Sequence, residues 1–151
     1  MTVAAVDEAT ASGREPGCVF CDIAAGEVSA TVVLRDEAVC AFLDQRPVFK
    51  GHVLIVPRRH TATLLDAAPD VLAAVFGAAQ RVGRAMEAGL SADGSFLGVN
   101  TKVSQSVPHL HVHVVPRRRK DGLRGFFWPR VPYASDEERE AFGARIRAAL
   151  T

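Results

Sequence analysis

The chain has 151 residues, 48% of them hydrophobic, and a formal net charge of +1. A chain of this length forms one ordinary domain, whose core is large enough to fold without disulfides. The near-zero charge excludes a general electrostatic attraction to nucleic acid or to a membrane surface. The sequence also lacks an apolar run near the roughly 18 residues that a membrane helix needs. We therefore expect no nucleic-acid partner and no membrane association.

The N-terminal segment and the cysteine count both favour the cytoplasm. Asp7 and Glu8 occupy the region where a signal peptide carries positive charge. The cysteines Cys18, Cys21 and Cys40 are an odd number. An odd number suits a reducing compartment, which leaves cysteines as thiols or metal ligands.

The predicted secondary structure begins with short elements. A short helix is expected at FCDIAAGE, and strands are expected at TVVLRD, AVCAFLD and HVLIVP, because these strand segments are rich in β-branched and aromatic residues and are separated by breakers. The three strands are short and adjacent, which favours an antiparallel meander. Two further strands are predicted at SFLGVN and HLHVHVV.

Two longer helices complete the prediction. Between Pro69 and Leu90 the apolar residues recur three and four positions apart and form one helical stripe, which consists of Leu72, Val75, Phe76, Ala79, Val82 and Met86. A C-terminal helix is expected after Ser135, a suitable N-cap three residues before Glu138. The pattern therefore predicts five strands, one long helix and a C-terminal helix.

The predicted domain boundaries follow from these elements. Residues 1–16 show no hydrophobic periodicity and are expected to form a disordered tail. Residues 17–133 are expected to form the domain, and residues 134–151 a helix that packs on the domain or extends it. The stripe of the long helix either lies wholly on the domain's own sheet or is shared with a second copy in a symmetric dimer.

A row of histidines follows in the last predicted strand. In SVPHLHVHVVPRRR, His109, His111 and His113 occupy every second position, so on a strand they share one face. Three interpretations are open: a solvated strand face, a metal site, or nucleophilic catalysis in which a neutral imidazole of fixed tautomer attacks phosphorus. Gln105 and Ser106 add uncharged donors where a phosphate would lie, which favours catalysis.

The motifs around this row resemble a known family. The stretch QSVPHLHVHVVP resembles the signature of the histidine triad family of nucleotide hydrolases and transferases. The segments CVFCDIAAGE, AFLD and GHVLIVPRRH follow the order and approximate spacing of its bacterial, Hint-like members, over roughly residues 17–130. The resemblance implies a half-barrel α+β fold with a five-stranded antiparallel sheet, a homodimer, and a two-step reaction on a nucleoside monophosphate that is linked to a leaving group.

The resemblance also implies the catalytic residues. His111, the middle histidine of the row, matches the nucleophile that becomes nucleotidylated. His113 matches the histidine that contacts phosphoryl oxygens or the leaving group, and His52 matches the fourth histidine of the cluster. Gln105 and Ser106 match residues that hold the phosphate and the bridging atom.

Five further residues match the nucleotide-binding positions or lie close to them. Asp44 matches the acid that receives the ribose hydroxyls, a role that suits its two acceptor oxygens. Phe20, Ile23 and Phe42 match the apolar walls around the base, and core packing is an equally good interpretation of these side chains. Asn100, at the end of the strand before the histidine row, is a further candidate for nucleotide binding.

A C-x-x-C pair, Cys18 and Cys21, suggests a metal. In bacterial members of the family such a pair is often completed by two histidines, which correspond to His60 and His109. Two thiolates and two imidazoles satisfy a closed tetrahedral zinc ion, which would be structural. Reduced, metal-free thiols are the alternative. The resemblance implies no organic cofactor.

Other segments depart from the family pattern or are ambiguous. The loop NTKVSQS has no glycine, where phosphoramidase-type members commonly carry a Gly-rich segment, and Gln45 stands where an aliphatic residue is common. The basic run 117–120 is either a solvated loop or an attraction for a polyphosphate tail. The aromatic segment 126–128 either caps a dimer or closes over a ligand.

The favoured function is hydrolysis of a purine nucleoside phosphoramidate, because Ser106 matches a residue with a specific role at the bridging atom. The alternatives are a dinucleoside polyphosphate hydrolase, a nucleotidyltransferase or phosphorylase of the same fold, and a non-catalytic, zinc-stabilised module that binds nucleotides. His113 stands where the branch resembling galactose-1-phosphate uridylyltransferases has glutamine, which favours transfer to water.

Overall fold

Five antiparallel strands form one open sheet in the computed structural model, which describes residues 13–124 and 130–150. The strands are β1 (Val32–Arg35), β2 (Val39–Leu43), β3 (Val53–Pro57), β4 (Gly94–Gly98) and β5 (Val112–Arg117), in the spatial order β1-β2-β3-β5-β4. The first three strands form the predicted meander, and β5 lies between β3 and β4. The predicted α+β class with a five-stranded antiparallel sheet is confirmed.

The described residues also form three α-helices and one short 3-10 helix. These are α1 (Val19–Ala25), the 3-10 helix Leu64–Asp66, α2 (Pro69–Leu90) and α3 (Asp136–Ala149). The long helix α2 has the predicted bounds, because Pro69 lies in its first turn, where no N–H is needed, and Ser91 ends it in a left-handed conformation. Ser135 caps α3 by accepting a hydrogen bond from the Glu138 N–H at 3.1 Å.

The two faces of the sheet carry separate cores. On one face, α2 packs its buried residues Val75, Ala78, Ala79, Val82 and Met86 against the strands. On the other face, α1 packs Phe20, Cys21, Ile23 and Ala24 against Cys40, Phe42, Leu54 and Val56. Alternating strand residues serve the two cores in turn. The domain's own sheet therefore covers most of the α2 stripe, and Phe76 is its most exposed large residue at 41%.

The strand that carries the histidines begins later than predicted. The prediction places HLHVHVV in one strand, whereas β5 begins at Val112 and only His113 of the row belongs to it. Pro108 has no N–H for a ladder, and the chain turns there, with the His109 N–H donating to the Val107 carbonyl at 2.8 Å. The Leu110 N–H then donates to the Thr61 carbonyl at 2.7 Å, so this segment is held by a loop.

The chain divides into two units, Met1–Asp121 and Gly122–Thr151. This division lies earlier than the predicted boundary at 133/134, and the docking of the C-terminal helix stays a prediction. Residues 1–12 of the predicted tail lie outside the described residues. Residues 13–16 are described, and Arg14 forms ion pairs with Asp22 at 2.9 Å and Glu27 at 2.6 Å. The disordered tail stays a prediction. Within the described ranges, no helix is both long and apolar enough to cross a membrane.

Candidate active site and metal centre

A cleft of about 780 Å³ opens on the α1 face of the sheet. This volume lies within the range of small-molecule sites. Seven of the ten residues predicted for catalysis or nucleotide binding line the cleft, namely Phe20, Ile23, Phe42, Asp44, Ser106, His111 and His113. These residues lie on α1, near the end of β2, and in β5 or the segment that leads into it, and the fold brings these elements together on the α1 face of the sheet.

His111 has a fixed tautomer. Its Nδ1 lies 2.7 Å from the carbonyl oxygen of His109. A carbonyl can only accept a hydrogen bond, so Nδ1 carries the proton of the neutral ring and Nε2 keeps a lone pair. The side chain is 3% exposed and lies edge-on to Phe20, with ring centroids 5.1 Å apart. In its neutral form, this cleft-lining imidazole therefore offers a lone pair at Nε2.

His52 supports His113. The Nε2 atom of His52 lies 3.0 Å from Nδ1 of His113, and its Nδ1 accepts a hydrogen bond from the Val48 N–H at 3.1 Å. Burial lowers the pKa of His52, and it lowers the pKa of His113 to about 4, so both rings are neutral near pH 7. Gly51 has a φ of +100°, and a Cβ there would lie 2.6 Å from Leu90 Cδ1, so glycine allows the turn before His52 to approach α2.

Gln105 and Asn100 are not among the cleft-lining residues. The Gln105 amide donates to the Ala62 carbonyl at 2.7 Å and accepts from the Lys102 N–H at 2.9 Å, so both of its ends hold the loop. Asn100 is exposed beyond the end of β4. Their contacts with phosphate or nucleotide stay predictions.

The glycine-free loop before the histidine row is strained at two positions. Lys102 has a φ of 66° and Ser104 a φ of 62°. This left-handed region costs most L-residues energy, whereas glycine adopts it freely. The loop therefore uses a conformation suited to glycine without containing any.

Sequence reasoning missed several residues of the cleft wall. Ser29, Thr31 and Arg46 line the cleft. Gln45, which departs from the aliphatic residue common in the family, lines it too. Arg46 lies two positions after Asp44, and its backbone N–H donates to Asp44 Oδ1 at 2.9 Å. Proximity to Asp44 is the signal that could have identified Arg46. The residues Ser29 and Thr31 reach the cleft through tertiary packing, which no local pattern reports.

Four thiol and imidazole side chains converge at the other end of the histidine row. The ligand atoms of Cys18, Cys21, His60 and His109 all lie within 4.8 Å of one another. The His109 Nδ1 lies 3.3 Å from Cys18 Sγ and 3.5 Å from Cys21 Sγ, and the His60 Nδ1 lies 3.5 Å from Cys21 Sγ. Tetrahedral zinc with ordinary bond lengths separates sulfur from nitrogen by about 3.6 Å. The donor set and its spacing therefore fit a zinc ion.

The surroundings of His109 also suit a ligand. Its Nε2 lies 2.8 Å from the Pro57 carbonyl, so Nε2 carries the proton and Nδ1 is free to bind a cation. Burial lowers the pKa of His109 to about 4, which keeps the ring neutral, and burial raises the pKa of the Cys21 thiol. Since the Cys21 thiolate is unfavourable without a cation, the site is better satisfied with metal than without it.

A second group, Asp44, His52 and His113, also has ligand atoms within 4.8 Å of one another. It fits a metal poorly, because His52 Nδ1 already accepts from the Val48 N–H and His52 Nε2 contacts His113 Nδ1. The Asp44 Oδ2 lies 3.7 Å from His52 Nδ1, beyond hydrogen-bond distance. This group is better described as a hydrogen-bonded pair of histidines with a carboxylate nearby.

The basic run 117–120 lies away from the cleft. Arg117 pairs with Asp121, with a shortest N···O distance of 2.6 Å. Arg118 donates to the carbonyls of Leu90 and Ser91 at 2.6 Å and 2.8 Å, at the C-terminal end of α2. Two of the cations in the run thus bind groups of the protein itself, which neither interpretation of the run anticipated. The aromatic segment 126–128 lies outside the described residues.

Comparison with known proteins identifies the family. A family model for the HIT domain matches residues 25–120. The chain belongs to the HIT family. It is 40% identical over 138 residues to a HIT-like protein of Mycobacterium tuberculosis, a match that covers 88% of this chain and 92% of that protein.

HIT family relatives include nucleotide hydrolases. An adenosine 5′-monophosphoramidase of Schizosaccharomyces pombe is 28% identical over 134 residues, which is 88% of this chain and 98% of that enzyme. A bis(5′-nucleosyl)-tetraphosphatase of the same yeast is 35% identical over 96 residues, covering 62% of this chain and 53% of that enzyme.

Solved structures agree with the HIT fold. A HIT family protein from Bacillus anthracis matches with a TM-score of 0.79 and 28% identity, covering 90% of this chain and 99% of that one. A zinc-bound histidine triad family protein from Mycobacterium smegmatis matches with a TM-score of 0.69 and 37% identity, over 89% of this chain and 98% of that one.

Proposed function

We propose that this HIT protein hydrolyses a purine nucleoside 5′-monophosphate linked to a leaving group, through a nucleotidyl-histidine intermediate. The observation that carries the proposal is the tautomer of His111, whose Nδ1 is tied to the His109 carbonyl at 2.7 Å. Its free Nε2 is the nucleophilic atom, and His113 lines the same cleft beside it, with ring centroids 5.1 Å apart. The two yeast hydrolases support the reaction class.

The proposed reaction has two steps. His111 Nε2 attacks phosphorus, and the bond from phosphorus to the leaving atom breaks with its electron pair remaining on that atom. A proton from solvent reaches the leaving atom through the Ser106 hydroxyl, while the neutral His113 donates a hydrogen bond from its Nε2–H to the leaving atom or the phosphoryl oxygens. Water then attacks phosphorus, releases His111 and returns a proton to solvent. Gln105 is proposed to support the loop that carries Ser106, since its amide joins Lys102 to Ala62.

The cleft suggests how the nucleoside binds. Asp44 is proposed to accept hydrogen bonds from the ribose hydroxyls. The side chains of Phe20, Ile23 and Phe42 are proposed to surround a purine, because they line the same cleft as Asp44. Asn100, which is exposed beyond the end of β4, is a further proposed nucleotide contact.

The leaving group is proposed to be an amine. Among the described residues that line the cleft, Arg46 is the one cation, and it lies beside Asp44 at the proposed ribose end. A dinucleoside polyphosphate would gain from several cations near its phosphate tail. Because Arg117 and Arg118 are engaged elsewhere, the basic run gives that substrate little support.

We further propose a structural zinc ion held by Cys18, Cys21, His60 and His109, a homodimer, and a cytoplasmic location. Zinc would join α1 to the segment before β5, and would supply no reaction step. The sheet of the same chain covers most of the apolar stripe of α2, so the exposed Phe76 is the part of the stripe that remains for a dimer contact. Light scattering tests the dimer, which should have twice the 16.1 kDa mass of the chain.

The central test is His111→Ala with a fluorogenic adenosine phosphoramidate. Loss of activity should exceed about a thousandfold, or roughly 4 kcal/mol of barrier, with an unchanged circular dichroism spectrum. Alkaline quenching of the wild type should trap a nucleotidyl group on the peptide that contains His111. An adduct on any other peptide would falsify the assignment of His111. A folded wild type without turnover would instead favour the non-catalytic module that binds nucleotides.

The same assay compares leaving groups and acceptors. A tenfold preference for diadenosine tetraphosphate over the phosphoramidate would reverse the choice of substrate. Turnover that depends on added phosphate or sugar phosphate would indicate a phosphorylase or nucleotidyltransferase.

A further inference from the structure

The turn between β2 and β3, residues 44–52, links the cleft to the buried His52. The Asp44 N–H donates to the His52 carbonyl at 2.9 Å, and the His52 N–H donates to the Phe49 carbonyl at 3.0 Å, which closes the turn. Inside the turn, the Val48 N–H donates to the His52 side chain at Nδ1, at 3.1 Å. One backbone amide therefore contacts the ring that lies behind His113.

The Val48 amide determines where His52 carries its proton. A backbone N–H can only donate, so His52 Nδ1 must present a lone pair. The single proton of the neutral ring then lies on Nε2, which is 3.0 Å from His113 Nδ1. This N–H donates to His113 Nδ1, and the proton of His113 is consequently placed on its own Nε2. The amide thus sets the tautomers of two histidines in series.

A nearby carboxylate favours the opposite arrangement. Asp44 Oδ2 lies 3.7 Å from His52 Nδ1, so a proton on Nδ1 would be attracted to it. In that arrangement, His52 Nε2 would present a lone pair, His113 would carry its proton on Nδ1, and His113 Nε2 would be unprotonated. The Val48 amide opposes this pull, because its hydrogen occupies the position at which the Nδ1 proton would lie.

We propose that the Val48 backbone amide is a positioning group that holds His52, and through it His113, in the tautomer with hydrogen on Nε2. The inference rests on the proposed function only for the use of this hydrogen, which is donated to the phosphoryl oxygens or the leaving atom. It makes the β2–β3 turn, which also carries Asp44 and Arg46 to the cleft, part of the catalytic apparatus.

The direct test is long-range ¹H–¹⁵N NMR of histidine-labelled protein at pH 7.5, which reports the protonated nitrogen of each ring. Both His52 and His113 should be unprotonated at Nδ1 and protonated at Nε2. A proton on Nδ1 of either ring overturns the inference. If the tautomers are as expected but the protein hydrolyses no nucleotide, the proposed function fails and the tautomer assignment stands.

A pair of variants at residue 48 tests the cause. Val48→Pro removes the N–H, and Val48→Ala keeps it while removing both methyl groups of the side chain. We expect Val48→Pro to move the proton of His52 to Nδ1 and to lower kcat at least tenfold with little change in KM, and Val48→Ala to retain the wild-type tautomers. Unchanged tautomers in a folded Val48→Pro protein would refute the role of the amide.

A second pair remains informative if Val48→Pro does not fold. The amide nitrogen of His52→Gln can replace the Nε2–H donor, whereas the shorter side chain of His52→Asn reaches only the Nδ1 position. His113 should keep its Nε2 proton in the glutamine variant and lose that preference in the asparagine variant. Identical His113 spectra in the two variants would count against the relay.

Discussion

Replacing Cys18 with serine should remove the zinc ion and a large part of the thermal stability. Cys18 is buried and its Sγ lies 3.3 Å from the His109 Nδ1, so it is one of four converging ligands. Serine is a poor zinc ligand at neutral pH. The remaining Cys21, His60 and His109 would then lack the cation that compensates the charge of the Cys21 thiolate.

The magnitude follows from ligand linkage. A metal present at 1,000 times its dissociation constant stabilises the folded state by about 4 kcal/mol. For a domain near 150 residues, each kcal/mol shifts the melting temperature by roughly 2–4 °C, so the loss should be about 8–16 °C. The chain should still fold, because the α2 core on the opposite face of the sheet includes none of the four ligands.

The assay is thermal unfolding of the wild type and of Cys18→Ser, with and without a chelator, together with native mass spectrometry. Cys40→Ser is the control, because Cys40 is fully buried but lies outside the ligand group. Chelation should lower the melting temperature of the wild type and of Cys40→Ser, and leave that of Cys18→Ser unchanged. A wild type without zinc, or one indifferent to chelation, would refute the reasoning.

Three further predictions concern the loop, the histidine pair and the N-terminal segment. Lys102→Gly should raise the free energy of unfolding by about 0.5–1 kcal/mol in a denaturant titration, because φ is 66° at that residue. Val103→Gly should lower it. If neither variant is more stable than the wild type, the strain argument is contradicted. The pKa of His113 is about 4 in the folded state, below its ordinary value of 6.5, so the unfolded chain takes up its proton first as the pH falls. Stability should therefore be full above pH 6.5 and decline towards pH 4, with a shallower decline in His113→Asn; parallel melting curves for the two proteins would exclude this contribution. Arg14→Gln should release zinc to a chelator several-fold faster than the wild type, because Arg14 anchors a segment whose Glu15 N–H donates to Cys21 Sγ at 3.5 Å. Arg58→Gln is the control. If zinc leaves both variants at the same rate, the segment does not protect the metal.

Local patterns in the sequence determined the elements. The 3.6-residue repeat of apolar side chains and the proline in the first turn located α2, because helix periodicity and the missing N–H act within a few residues. Alternation is less informative around β5, where Val112 and Val114 are fully buried but His109 and His111, at the alternate positions, are buried as well. The stretch QSVPHLHVHVVP, together with the segments CVFCDIAAGE, AFLD and GHVLIVPRRH, was sufficient to suggest the family.

The tertiary structure alone decided how the functional groups are connected. Cys18 and His109 are 91 positions apart, and their 3.3 Å contact exists because α1 and the segment before β5 pack on the same side of the sheet. The tautomers of His111, His52 and His113 depend on the His109 carbonyl and the Val48 amide, whose directions are set by turns rather than by side-chain identity. Arg118 reads as a free cation in the sequence, yet it binds carbonyls 27 and 28 residues away at the end of α2. Hydrogen bonds and metal ligation act over about 3 Å in space, so a pattern along the chain cannot report which distant groups fall within that distance.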